Sequence, residues 1–336
     1  MSARTVALES VAPHGSRSDA GPAERQLSNP GAPSRLSTFA VGSALRLLRA
    51  LPRRARERFA AFVGWAVWTL GVRRAVAIDN VRHAFPERTA LEHRGIARAA
   101  FRSMSTAMLE SVTSDLLSDE EIERAVSVMD WKGLDVLLAA HQPVLIASAH
   151  LGSWELFAEV MARRGYVFSA VVRPLAGAFN QWLVKSRERA GVELIFQRGA
   201  LRNMLKAMRR GRAVVQLIDQ ALPGPEALWV PFFGRPASTT PAISMAALRS
   251  GAPVYVVVAV RQQGQLEMKV EGPVPMPELP TRRESLEAHT AALTAILEGH
   301  VRAHPEQWLW LHRRWKGPRG EASQGNQIAS RNSTPA

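Results

Sequence analysis

Between residues 141 and 270 the chain alternates short apolar runs, rich in β-branched residues, with stretches of helical periodicity, and few architectures accept that pattern. The strand candidates are Val144 to Ser148, Val167 to Val172, Val192 to Phe196, Ala213 to Ile218 and Val254 to Val260. Helix candidates fill the intervals at about 153–164, 178–190, 199–210 and 240–250. The last has Thr240 at the N-cap, Pro241 in the first turn and Gly251 as its stop. Such alternation predicts an α/β fold, a mostly parallel central sheet flanked by helices on both faces.

Open α/β sheets bind ligands outside the carboxyl ends of their strands. That rule singles out Val144-Leu-Ile-Ala-Ser-Ala-His150-Leu-Gly-Ser-Trp-Glu155, where an apolar run ends in a histidine and a glutamate follows five positions later. A histidine serves as general base when it is neutral, oriented and stabilised once protonated. Glu155 is the nearest candidate for that help. The interval of five does not place both on one face of a regular helix, so they meet only if His150 lies in the turn and Glu155 on the first helical turn. Gly152 and Ser153 then fall near the helix start, with N–H groups expected to be free for an anion or oxyanion. The bland alternative is a satisfied histidine followed by an ordinary helix carboxylate.

Composition removes several classes. The 336 residues, 46% hydrophobic, suffice for one large domain with appended helices or two small ones. With no cysteine, disulfides, thiolate catalysis and cysteine metal sites are excluded together. No set of histidines and carboxylates has zinc-ligand spacing, so no metal is expected. A formal charge of +14 implies an anionic partner.

The charge is placed unevenly. Arg46, Arg49, Arg53, Arg54, Arg56 and Arg58 precede Phe59-Ala-Ala-Phe-Val-Gly-Trp65-Ala-Val-Trp68-Thr-Leu-Gly-Val72, which carries no charge and is closed by Arg73 and Arg74. The run falls short of the roughly 20 residues that span a bilayer. Two readings stand: a helix lying on an anionic membrane surface, or a core helix with solvated basic ends. Nucleic acid is not the expected partner, since aromatic residues are few and no basic DNA-binding pattern occurs.

Domain organisation follows from these shifts. Residues 1–36 and 317–336, rich in small and polar residues without apolar periodicity, are expected to be disordered. Residues 37–140 form a helical, membrane-associating and packing region, with Leu91 to Leu117 carrying apolar positions at helical spacing; 141–316 form the α/β core. The N-terminus lacks a secretory signal pattern, so a cytoplasmic-side protein is expected.

Four motifs occur in order: Asn80-Val-Arg-His-Ala-Phe-Pro-Glu87, the His150 to Glu155 box, Val230-Pro-Phe-Phe-Gly234 with Thr239-Thr240, and Trp308-Leu-Trp-Leu-His-Arg-Arg-Trp-Lys316. Over about residues 40 to 317 the chain resembles the bacterial lipid A biosynthesis acyltransferases, the lauroyl and myristoyl transferases, within the wider glycerolipid acyltransferase superfamily. The resemblance implies transfer of a fatty acyl chain from an acyl-carrier-protein or coenzyme A thioester to a hydroxyl of a membrane glycolipid such as a lipid A precursor, with no cofactor beyond the acyl donor. It places His150 as general base and Glu155 as the residue that orients the ring. It implies direct attack; Gly152-Ser153-Trp154 also lacks the glycine-flanked serine elbow of covalent hydrolases.

Asp219 matches an acidic active-site position of the family, and Arg187 matches a family arginine, with Arg189 two residues away as its rival. Arg173 and Arg235 are candidates to grip phosphate through their planar forks, or are solvated surface arginines. The tryptophans of the closing motif are expected to pack. His83 and His141 are assigned no role, and His312, Arg313 and Arg314 receive none from sequence. Family members begin with a hydrophobic anchor helix, whereas here the equivalent region is short and interrupted by arginines. Peripheral attachment or shallow insertion at the cytoplasmic face of the inner membrane is therefore expected. A related acyltransferase acting on another glycolipid or lysophospholipid, an acyl-thioester or lysolipid hydrolase using the same base, and a non-catalytic basic lipid-binding or nucleic-acid-binding protein are the other function classes.

Overall fold

The computed structural model describes residues 34–315 apart from 129, 174–176 and 264, so the expected disorder of 1–33 and 317–336 and Lys316 of the closing motif lie outside the described residues, while Arg35 and Leu36, read with the disordered end, already belong to a helix. The described chain opens with helices α1 (Arg35–Ala50), α2 (Arg53–Thr69), α3 (Arg74–Ala84), α4 (Ala90–Thr113) and α5 (Asp119–Ala125). Two of them start with reciprocal caps: Thr89 with Glu92 on α4, and Ser118 with Glu121 on α5, each satisfying orphan N–H groups of the first turn. There follow β1 (Val126–Val128), α6 (Leu134–Ala139), β2 (Leu145–Ser148), α7 (Trp154–Arg163), β3 (Phe168–Val172), α8 (Ala178–Arg189), β4 (Glu193–Phe196), α9 (Ala200–Arg209) and β5 (Ala213–Leu217). A hairpin of β6 (Leu228–Phe232) and β7 (Arg235–Thr239), then α10 (Ala242–Ser250), β8 (Val254–Gln262), β9 (Gln265–Glu271) and α11 (Arg282–Ala303), complete the order.

Seven strands make one sheet in the order β1-β9-β8-β2-β5-β3-β4, every pair parallel except β8 with β9. The expected α/β class and its five expected strands are present. Three further findings differ from the sequence reading: β1 interrupts the region read as helical and joins the sheet edge, β9 returns antiparallel to β8, and β6–β7 forms a separate hairpin. β1 has three residues and β9 carries Glu267 and Lys269, so neither stands out as a continuous apolar run. Helix α10 begins one residue later than expected: Pro241 is its cap, while Thr240 Oγ1 accepts from the Ala242 N–H at 3.3 Å.

Strand alternation divides the core between the two sheet faces. On one face Leu145, Ala147, Val254, Val256 and Val258 pack with α3, α4, α9, α10 and α11; on the other Ile146, Tyr255, Val257 and Ala259 pack with α6 and α7. Central strands buried on both faces read as continuous apolar runs, which is why these were visible in sequence.

The basic, tryptophan-bearing segment becomes α2 and the corner after it. Ala60, Gly64 and Trp68 are buried, and Gly64 lies so near α4 that a Cβ would sit 3.0 Å from the Phe101 carbonyl oxygen. The opposite face leaves Phe59, Phe62 and Trp65 about half exposed, and Leu36, Phe39 and Leu47 of α1 are more exposed still. One face is thus buried, as a core helix requires, and the other is left exposed. Among the described residues no single helix is long and apolar enough to cross a membrane; α2 and α3 pass that test only together and are bent by 88°.

Candidate active site

β2 lies between β5 and β8, and the chain leaves its carboxyl end at His150. Connections from β2 and β5 then depart to opposite sides, so a crevice opens there. Leu151 bridges to Trp308 and Gly152 to Ala259, pinning the turn. Gly152 has φ +60°, and a Cβ on it would fall 1.9 Å from the Ala259 carbonyl oxygen, so only glycine fits.

Asp219, two residues after β5, sits directly opposite. Its Oδ1 lies 2.8 Å from His150 Nδ1, and its Oδ2 accepts from the His150 main-chain N–H at 2.8 Å and from Trp308 Nε1 at 2.8 Å. The Asp219 side chain is 2% exposed. Burial alone would raise its pKa, but the charge of His150 and the hydrogen bonds from its ring, its main chain and Trp308 outweigh that and leave it below the ordinary carboxylate value. An ionised Asp219 fixes the proton on Nδ1, so Nε2 carries the lone pair. The Gln220 side-chain nitrogen lies 3.3 Å from that Nε2, and Trp154 meets the ring edge-on at 5.1 Å.

Glu155 stands on the first turn of α7, as the spacing required, and is 9% exposed. Its carboxylate accepts from Arg187 Nε at 3.1 Å, from the same guanidinium's Nη2, and from Trp154 Nε1 at 3.0 Å. The expected ring-orienting role is corrected by this geometry: the carboxylate hydrogen-bonded to the ring is Asp219, and Glu155 pairs with an arginine. A turn that leaves β2 and bends through Gly152 directs the ring toward β5, not along α7. Of the two rival arginines, Arg187 is the one placed on Glu155.

The expected N–H site at the helix start is also corrected. The Gly152 N–H donates to the Gln307 carbonyl at 3.1 Å and that of Ser153 to the Ala259 carbonyl at 3.1 Å. The Ser153 hydroxyl donates to Glu110, which also holds Arg261. These groups fasten the turn to β8, α4 and the closing segment.

A cavity of about 790 Å³ opens beside His150 and contains Glu155, Arg187, Arg173 and Gln220 at its polar end. From there it runs between the sheet and α7, past Ile146, Phe157, Met161, Ala170 and Phe168, to Leu134 and Ala213. Its size and mixed lining suit a ligand with a long apolar part and a polar head. Arg173 is exposed at the rim, whereas Arg235 lies on the exposed β6–β7 turn and is not part of the cavity wall. His150, Glu155, Asp219, Arg187 and Arg173 thus lie together here, and Arg235 stands apart from them as an exposed surface arginine. No group of three His, Cys, Asp or Glu among the described residues is arranged for a metal ion.

The closing motif contributes more than packing. Trp308 is 1% exposed and also donates to Asp219. His312 Nε2 accepts from the Ala221 N–H at 3.1 Å. Arg314, fully buried, donates to the Ser238 carbonyl and to Thr239 Oγ1. Burial lowers its pKa to about 10 despite the opposing charge of Asp219, so it stays cationic at neutral pH. Asn80, from the first motif, donates to the Trp310 and His312 carbonyls at 2.7 and 2.6 Å. Only the order of the motifs hinted at these long-range bonds. His83 faces the Asp79 carbonyl and His141 is exposed, both outside the site.

Comparison with known proteins matches residues 28–317 to the family model described as bacterial lipid A biosynthesis acyltransferase. The chain is 28% identical over 257 residues to the lipid A biosynthesis palmitoleoyltransferase of Escherichia coli (strain K12), covering 75% of this chain and 81% of that protein. It is 26% identical over 239 residues to the lauroyltransferase of the same organism, covering 70% and 77%. To the myristoyltransferase it is 25% identical over 270 residues, covering 77% and 80%.

Proposed function

The chain belongs to the bacterial lipid A biosynthesis acyltransferase family, and from that premise we propose that it moves a fatty acyl chain from an acyl-carrier-protein or coenzyme A thioester to a hydroxyl of a lipid A precursor, with His150 as general base. The observation that carries the reading is the His150–Asp219 pair at the polar end of an apolar cavity. In this reading the acyl chain occupies the cavity, with its thioester carbonyl beside His150. The acceptor hydroxyl donates to Nε2, and as its oxygen attacks the carbonyl carbon the proton passes to that nitrogen. Asp219 holds the tautomer and stabilises the imidazolium, the role assigned to the carboxylate in histidine-based triads. Collapse of the tetrahedral intermediate breaks the C–S bond, and the departing thiolate takes the proton from Nε2.

Glu155 and Arg187 hold the rim on this account, and Arg173 faces the anionic part of a substrate. Attachment to the cytoplasmic face of the inner membrane is supported by the exposed Phe59, Phe62 and Trp65 beside Arg54 and Arg58. The test is acyl transfer by purified protein in detergent micelles, with labelled thioesters of both carriers and a panel of membrane-lipid acceptors. Label is expected in a lipid A precursor with wild type and not with His150→Ala. Equal label with both variants, or label released only as free fatty acid at a rate indifferent to acceptor, would overturn the reading.

A further inference from the structure

Attack on a thioester puts negative charge on the carbonyl oxygen, and a site that speeds the reaction aims a hydrogen-bond donor at it. The donors nearest in sequence are committed elsewhere: the Gly152 and Ser153 N–H groups to the Gln307 and Ala259 carbonyls, Trp154 Nε1 to Glu155 at 3.0 Å, and Trp308 Nε1 to Asp219 at 2.8 Å. Arg187 uses Nε and Nη2 on Glu155. Gln220 is differently placed. It lines the cavity, and its side-chain nitrogen lies 3.3 Å from the one nitrogen of His150 that Asp219 leaves with a lone pair.

An amide N–H resting on the lone pair of the base marks where the acceptor hydroxyl docks, because the hydroxyl needs the same lone pair. When the hydroxyl takes it, the amide moves aside and stands next to the reacting oxygen, with its N–H directed at the carbonyl under attack. The main chain on both sides of Gln220 is fixed. Asp219 is held by His150 and Trp308, the Ala221 N–H by His312, and Leu222 exchanges hydrogen bonds with Ser238 in both directions. Only the side chain has to turn, so the donor is held ready by its supports.

We propose that Gln220 is a catalytic residue, its side-chain amide covering the base in the free enzyme and donating to the thioester-derived oxyanion during transfer. The inference rests on the acyl-transfer reading above. Gln220 neither gains nor loses a proton: the new C–O bond forms, the carbonyl electron pair moves to oxygen, and collapse expels the thiolate as before.

The experiment compares wild type with Gln220→Met, a neutral replacement of similar length without a donor. It measures transfer from labelled acyl-carrier-protein thioester to a lipid A precursor, and the acceptor-independent hydrolysis of the same thioester. Transfer kcat is expected to fall about 10²- to 10³-fold, as when one oxyanion donor is removed, with KM for the thioester nearly unchanged. Hydrolysis, which forms the same oxyanion, falls by a similar factor. A variant that transfers at the wild-type rate or faster, or that changes only KM, overturns the assignment. Wild-type protein that hydrolyses thioester but labels no acceptor would overturn the acyl-transfer reading instead, and Gln220 would still be judged by the loss or survival of hydrolysis.

Discussion

Asp219 grips His150 twice, one carboxylate oxygen facing ring Nδ1 and the other accepting the main-chain N–H, both at 2.8 Å. The paired contacts fix the ring's tautomer and the direction in which Nε2 points.

Asp219→Asn keeps the shape of this pair and removes its charge. The amide no longer requires a proton on Nδ1, so the wrong tautomer is populated and the base is lost in part of the molecules; kcat is expected to fall about 10³- to 10⁴-fold, the scale seen for this change in a triad. Steady-state kinetics with the thioester held saturating checks it. Stability carries a second signature. Because the folded pKa of Asp219 lies below the ordinary value of 3.8, the unfolded chain binds the proton more readily, so the stabilisation is complete above that value and fades as pH falls through the lower folded pKa. Denaturant unfolding across acid pH should show wild type losing more stability than Asp219→Asn.

Glu155 and Arg187 separate catalytic from architectural roles. Arg187→Gln leaves a carboxylate that is only 9% exposed without its cation, while Glu155→Gln leaves an arginine that is 21% exposed. With the solvent access of both partners discounted, each change should cost about 1–3 kcal/mol in unfolding free energy, more for Arg187→Gln, and the two should be non-additive. Glu155→Gln should lower kcat at least tenfold less than Asp219→Asn. Equal losses would return Glu155 to the ring-orienting role.

The sheet was legible because its central strands are buried on both faces and therefore apolar throughout, as Val254 to Val260 illustrates. His150 was legible because it ends such a strand. Asp219 was reached only through the family resemblance, and its pairing with the ring was not legible: it lies 69 residues away and Trp308 a further 89 beyond it, separations that no local spacing encodes. Local chemistry suggested Glu155 and the free N–H groups of Gly152 and Ser153, and tertiary contacts claimed all three. Between the two readings of Arg235 sequence could not choose, because the hairpin that carries it to the surface is invisible as an apolar run.

Membrane attachment can be tested without touching the site. Phe62 is 58% and Trp65 53% exposed on α2, so serine at both positions should leave melting unchanged. Burying such an aromatic in a lipid interface is worth about 1.5–3 kcal/mol, and loss of each should weaken binding to anionic vesicles roughly 10- to 100-fold. Vesicle co-sedimentation reads this directly. Transfer between micelle-soluble substrates should persist, and vesicle binding equal to wild type would assign this face to something other than lipid.

The apolar cavity should set acyl-chain length, and Ala170 is the place to ask. It lies on β3 along the cavity wall, level with Ile146 across the sheet and two residues nearer the carboxyl end of β3 than Phe168, with only a methyl group projecting. Phenylalanine there would block the deeper part, which ends at Ala213 and Leu134, without reaching the His150–Asp219 pair. Each methylene that can no longer be buried forfeits about 0.8 kcal/mol, close to a fourfold loss in kcat/KM per carbon pushed out. Ala170→Phe is therefore expected to shift preference toward shorter acyl thioesters and to leave kcat for the shortest ones near wild type. The check is a series of thioesters of increasing length, assayed in competition. An unchanged length profile would place the acyl chain outside this cavity, and a uniform loss at every length would mean that the substitution disturbs the polar end of the cavity instead.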